Sequence, residues 1–154
     1  MFKQLLPARI DNTYRGYKLA LWLFALVVAV RTTQSVLIIF NGYSTVKSAD
    51  GVPLDAYPPA AAQTIVALFG LSSLARLIIS LLCVVVLVRY RAAIPSMFAL
   101  LLLNYLAGQL LLWFVPIVRV GTPPGSVVNL TLLALTVVGL ALSLPRRGKL
   151  QAQE

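Results

Sequence analysis

The sequence predicts an all-α membrane protein: a four-transmembrane-helix bundle with both termini on the cytoplasmic side (N-in/C-in). Three observations predict it. Of 154 residues, 60% are apolar and only 11% are charged, whereas soluble domains carry about a quarter charged residues. The apolar residues run in long unbroken stretches, not in the spaced stripe of a soluble amphipathic helix. Lysine and arginine also crowd one side of those stretches. A hydrocarbon core about 30 Å thick takes roughly 20 apolar residues per helix, so four spans fill residues 1–154 as a single integral domain.

The elements follow in order along the chain. Residues 1–16 are basic and partly apolar, with Phe2, Leu5, Leu6 and Ile10 among Lys3, Arg9 and Arg15, and Pro7 limits any helix there. They read as an interfacial lead lying on the membrane surface. The first span is expected over about 17–40, closed by the turn residues Asn41-Gly42. Residues 41–59, with Asp50-Gly51, Pro53 and Pro58-Pro59, form the longest loop. The second span, about 60–88, is longer than the bilayer requires, so tilt is expected. Arg89-Tyr90-Arg91 is a very short connection and predicts that the second and third spans are antiparallel neighbours. The third span, about 95–115, begins on Pro95, a good first-turn residue. Gly121 to Gly125 is a turn cluster, and the fourth span runs over about 126–144. Pro145 ends it, leaving 145–154 as a cytoplasmic tail. Lys18 and the apolar run Leu19–Val30 also have the outline of a signal peptide. The basic segment before them is unusually long, and Val27-Val28-Ala29 is a poor cleavage site, so the run is expected to stay as a span.

Orientation comes from the loop cations. Lys3, Arg9, Arg15, Lys18, Arg89, Arg91, Arg146, Arg147 and Lys149 lie on one side, and only Lys47 and Arg119 on the other, offset by Asp50 and Asp55. The bias places the crowded side in the cytoplasm and the chain in the cytoplasmic (inner) membrane. It also accounts for most of the net charge of +9. These cations flank spans and do not cover a soluble face, so nucleic acid is not an expected partner. Arg89, Arg91, Arg146, Arg147 and Lys149 sit instead where anionic lipid headgroups lie, each worth about 1 kcal/mol near the surface. Trp22, Trp113, Tyr17, Tyr43, Tyr57 and Tyr90 fall near span boundaries, as an aromatic belt does.

The remaining two arginines, Arg31 and Arg76, lie inside spans. A central Arg costs roughly 3 kcal/mol on insertion scales, while each neighbouring Leu, Ile, Val or Phe returns about 0.3–0.6, so the helices still insert. Arg31 is thirteen residues from Lys18, Arg76 thirteen from Arg89 and Asn104 thirteen from Arg91. At 1.5 Å per residue all three stand about 20 Å above the cytoplasmic boundary. Gln34, Gln109 and Asn129 lie slightly further out, so every span contributes to one polar layer. Arg31, Gln34 and Ser35 share a face of the first span, and Ser72, Ser73, Arg76, Ser80 and Cys83 a face of the second. Lipid would not accept residues 31–35 all round, so that segment is expected in protein or in water entering from outside. On the fourth span Asn129, Thr136 and Ser143 form a thin seam, and Gly139 with Ser143 permits close helix approach.

No carboxylate lies in any span. Two guanidiniums at one height call for neutralisation by Asp50 or Asp55 folding down from the loop, by an anionic ligand or lipid phosphate, or by an acid on a partner. Arginine suits bidentate recognition of carboxylate and phosphate. Snorkelling toward the outer surface is the simpler expectation for each. The chain has no histidine and one cysteine, Cys83, which excludes an internal disulfide, bis-histidine haem and the usual zinc sites; no metal or cofactor is expected. Cys83 reads as a small packing residue. Asp50 and Asp55 are better explained as turn residues than as a catalytic pair. Asn129-Leu130-Thr131 matches a glycosylation sequon but opens a span.

In size and helix count the chain is similar to the small multidrug-resistance transporters, yet those depend on a glutamate in the first span, where this chain has Arg31. The vitamin K epoxide reductase-like bundles need a membrane Cys-x-x-Cys, and here there is one Cys. Nothing is carried over from either family. The leading expectation is a non-enzymatic accessory or structural subunit, with a membrane protein partner or a homo-oligomer. The alternative is a binder or oligomeric transporter of an anionic small molecule or lipid, with Arg31 and Arg76 as charge contacts and Gln34 and Asn104 as hydrogen-bond donors. The direction of the two guanidiniums separates these readings. An anion site brings both to one cavity, and a partner site turns at least one out of the bundle.

Overall fold

Where water is absent, every backbone N–H and C=O must find its partner within the segment, and long Leu-, Val- and Ala-rich runs meet that demand as helices. A computed structural model describes Asn12, Tyr14 and residues 16–144. Almost all of the lead expected over 1–16 lies outside the described residues. So does the tail 145–154, with Arg146, Arg147 and Lys149. Four long helices make up the fold: α1 (Lys18–Phe40), α3 (Pro59–Arg89), α4 (Ile94–Phe114) and α5 (Pro124–Ser143), with a short α2 (Gly42–Ser48) between the first two. All four long helices have the length and apolar composition to cross a membrane. Each begins and ends within two residues of the expected span. Proline stands in the first turn of α3, α4 and α5, where its missing N–H breaks no helical bond.

The expected loop over 41–59 differs from the structure. It holds α2 and a 3₁₀ turn over Leu54–Ala56. Val46, Val52 and Leu54 are buried with Ala62, and Ile65, Val66 and Phe69 of α3 pack against them. The polar turn residues masked an apolar set that folds α2 back over the end of α3.

Helix α1 is the centre of the bundle. Its most extensive packing is on α3, followed by α5, and α5 in turn packs on α4. The buried residues of α3 are mostly small (Ala62, Ser73, Ser80 and Cys83), which lets α1 approach closely. Cys83 is fully buried in this seam. The main apolar core brings Phe24, Val27 and Val28 of α1 together with Val86 of α3, Ile94, Phe98 and Leu101 of α4 and Leu132 of α5. Phe24 and Phe98 meet edge to face, their ring centroids 5.0 Å apart. The Phe98 ring lies where a Cβ at Gly139 would stand, so the glycine admits α4 onto α5.

The short connection does not make α3 and α4 close neighbours. They touch only sparsely, and the packing order α3–α1–α5–α4 is left open between its two ends. The reason is visible in the residues. Ile94, Phe98 and Leu101 commit one face of α4 to the core. Further along, Asn104, Tyr105 and Gln109 stand opposite Ser72 and Arg76 around a cavity, and such groups offer no apolar surface to close the gap.

The backbone N–H of Tyr17 donates to Leu142 O at 3.1 Å. The start of α1 and the end of α5 therefore lie together, at the end of the bundle that carries the α3–α4 connection. Trp22 and Trp113, 77% and 78% exposed, stand near opposite ends, which fits aromatic girdles at two interfaces.

Candidate functional site

The polar layer anticipated across the four spans closes around one cavity of about 400 Å³, within the usual range for small-molecule sites. It occupies the α2 half of the bundle, beyond the apolar core. Helix α1 supplies Arg31, Gln34 and Ser35, one face at steps of three and four. Helix α3 supplies Leu68, Phe69, Ser72 and Arg76. Helix α4 supplies Asn104, Tyr105, Gly108, Gln109, Leu111 and Leu112, and α5 supplies Ser126 and Asn129. Asp50, Ile117 and Arg119 reach in from the connecting segments at the α2 end.

Arg31, Arg76, Gln34 and Asn104, the four candidate ligand contacts, thus line the same cavity. Arg31 is half-buried, and its Nε is buried with no hydrogen-bond partner among the described residues. The two guanidiniums act on one another electrostatically. Among the described residues no carboxylate comes within ion-pair distance of either. The ion pair found among the described residues is Lys47 with Asp55, 2.5 Å apart and exposed.

The two loop acids have different fates. Asp55 lies outside the cavity, held by Lys47 and by the Tyr43 hydroxyl, which donates to Oδ1 at 2.9 Å. Those partners keep its carboxyl below the usual carboxylate range. Asp50 reaches the cavity because two glycines bring the ends of α2 and α5 together. Gly51 adopts φ +69°, a left-handed conformation that costs glycine little, and its carbonyl accepts from Val120 N at 2.8 Å. Gly125 N donates to Ala49 O at 2.9 Å. A Cβ at Gly125 would stand 2.6 Å from that oxygen, so only glycine allows the approach. Burial pushes the Asp50 carboxyl above its ordinary value, against the pull of Arg76 and Arg119.

Three guanidiniums therefore face one carboxylate, a net charge of +2 with Asp50 ionised. The neutral groups add capacity. Gln109 Nε2 donates to the Tyr105 hydroxyl at 3.0 Å, which leaves that hydroxyl's own proton to give. Arg119 Nη1 donates to Ser126 Oγ at 3.3 Å. Guanidiniums, amides and hydroxyls of this kind hold an anion well. Comparison with known proteins finds no matching family, no curated relative and no matching solved structure. The reading of this site rests on its geometry alone.

The faces expected from helical spacing are refined by the structure. Ser73, Ser80 and Cys83 pack toward the interior, while Ser72 and Arg76 line the cavity. Thr32 and Thr33 are not part of the cavity lining. Their hydroxyls donate to Val28 O and Ala29 O, one turn back. Thr136 and Ser143 are buried and bonded in the same local way to Leu132 O and Leu140 O; Asn129 alone of that seam reaches the cavity. Of the expected headgroup contacts, Arg89 and Arg91 are exposed at the α3–α4 connection, and Arg91 Nε donates to Leu87 O at 3.1 Å. Arg119 and Tyr105 were not anticipated. A tyrosine in mid-span, one turn from Gln109, was the available signal. Arg119 gave none, because its loop folds in only through Val120 and Gly51.

Proposed function

We propose that the protein binds an anionic small molecule or lipid in this intramembrane cavity. The single observation that carries the reading is that Arg31 and Arg76, from neighbouring helices, line one cavity with no carboxylate among the described residues in ion-pair distance. Like charges that line one cavity repel, and an anion bridging them relieves both that repulsion and the orphaned Arg31 Nε. Gln34 and Asn104 serve as neutral donors beside them. The two arginines give no reason to invoke catalysis: a guanidinium stays protonated and is no general acid or base near neutral pH. We read the protein as non-enzymatic. On the cation distribution we place it in the cytoplasmic membrane with both ends inside, so the cavity opens toward the outer half of the bilayer.

A second reading is favoured by the open side between α3 and α4. A partner helix bearing a membrane carboxylate would fill that gap and neutralise Arg76. This is the accessory-subunit role, and it ranks below the anion site because both arginines line one shared cavity.

Thermal unfolding in neutral detergent tests the primary reading. Pyrophosphate or an alkyl phosphate should raise the Tm of the wild type and leave that of Arg31→Gln/Arg76→Gln unmoved. Equal stabilisation of both proteins would reject it.

A further inference from the structure

The side of the cavity left open by α3 and α4 says what kind of anion it takes. A closed bundle would admit only solutes that enter from water. Here two of the four walls touch only sparsely. The wall formed by α4 is strongly exposed where it lines the cavity: Leu111 is 63% exposed, and Leu68 across from it on α3 is 58% exposed. Gly108 lines the same stretch, and a Cβ built on it would meet nothing within 4 Å. Among the described residues that position meets no neighbouring helix, and the bare glycine leaves the gap one side chain wider. The half-buried Arg31 and the exposed Arg76 share the cavity wall with the apolar Leu68, Leu111 and Leu112. A second copy of the chain is a poor occupant, because none of its spans carries a carboxylate to set beside the arginines through the gap.

We propose that the occupant is an anionic amphiphile, a phosphate- or carboxylate-headed lipid. It enters laterally from the bilayer between α3 and α4, seats its head on Arg31 and Arg76, and leaves its tail in the opening beside Leu68, Gly108 and Leu111. The inference rests on the anion-site reading and adds the tail and the route. Charge complementarity selects the head, since the cavity carries a net +2. The exposed apolar part of the lining, Leu68 and Leu111, selects the tail, which stays in an apolar medium throughout.

The test uses the full chain in nanodiscs of phosphatidylcholine with a minor fraction of phosphatidic acid, with bound lipid read by native mass spectrometry. The expected result is phosphatidic acid enriched roughly tenfold or more over its bulk share, the factor that one charge-assisted hydrogen bond sustains. Inorganic phosphate should displace it poorly, and Gly108→Phe should lower lipid retention more than it lowers protection by ethyl phosphate. If inorganic phosphate displaces the lipid as effectively as a long-chain alkyl phosphate does, the tail and the lateral route are wrong while the anion site stands. If Arg31→Gln/Arg76→Gln retains phosphatidic acid like the wild type, or the wild type retains neither lipid nor phosphate, both readings fall. A tightly co-purifying partner helix that excludes the lipid overturns the inference as well. Since a bulky residue at 108 could perturb folding, the tail-length comparison in the wild type decides the matter independently.

Discussion

Arg31 and Arg76 approach one cavity from adjacent helices, and the acid nearest in character, Asp50, joins them there without forming an ion pair with either. The cavity is thus cationic by construction and only partly offset from within. Its third guanidinium, Arg119, is exposed and already shared with Ser126 Oγ. Arg119→Gln should therefore weaken anion binding only a few-fold, since an exposed charge in high dielectric contributes about 1 kcal/mol or less. Arg31→Gln should cost about 10-fold or more, by the loss of a charged hydrogen bond. Calorimetric titration of the two single variants with one alkyl phosphate checks the ranking. Equal losses would contradict it.

Asp50 should make binding depend on pH. Burial raises its pKa, so its proton is lost later than that of an ordinary carboxyl as pH rises. Protonation takes the cavity from +2 to +3, and anion affinity should increase as pH falls through the raised value. The sign for folding is the same: the ionised form is the disfavoured one in the folded protein, so stability declines as pH rises through that window. Asp50→Asn should bind equally well across it and show a higher Tm at neutral pH. An alkyl sulfonate, whose own charge is fixed, is the probe to titrate. A pH profile unchanged in Asp50→Asn would remove Asp50 from the account.

The packing of α4 on α5 rests on Gly139 beneath Phe98. Gly139→Val places branched carbons in the space of that ring, and overpacking of this kind costs about 1–3 kcal/mol. Phe98→Ala leaves a void beside Phe24 and should cost about 3–5 kcal/mol. Reversible unfolding in mixed micelles reads both. A Gly139→Val variant as stable as the wild type would mean that α4 and α5 do not meet there.

Cys83 is fully buried between α1 and α3. A membrane-permeant maleimide should leave it unlabelled in the folded protein and label it fully after denaturation in sodium dodecyl sulfate. Rapid labelling of the native protein would show that the α1–α3 seam is open.

The four spans were legible because each bilayer crossing leaves an uninterrupted apolar run, and the prolines at 59, 95 and 124 mark helix starts within a turn. The polar layer was legible from depth alone, since Arg31, Arg76 and Asn104 stand equally far from cationic span ends. What could not be read was azimuth. A helix hydrophobic on all sides gives no stripe to say which neighbour it faces, so the gap between α3 and α4 was invisible, and the short Arg89–Arg91 connection suggested the reverse. The α2 segment was hidden because Val46, Val52 and Leu54 are spread among turn residues. Asp50 was a candidate neutraliser on equal terms with Asp55. What separates the two is local: Tyr43 and Lys47 hold Asp55 outside, while Gly51 and Gly125 bring Asp50 in.

The most direct measurement is isothermal titration of an alkyl phosphate into the purified full-length protein and into Arg31→Gln/Arg76→Gln, in the same neutral detergent. Saturable binding by the wild type that falls by a hundredfold or more in the double variant, about 2.7 kcal/mol, is the expected result. Equal affinity in two well-folded proteins would show that the paired guanidiniums do not hold the anion.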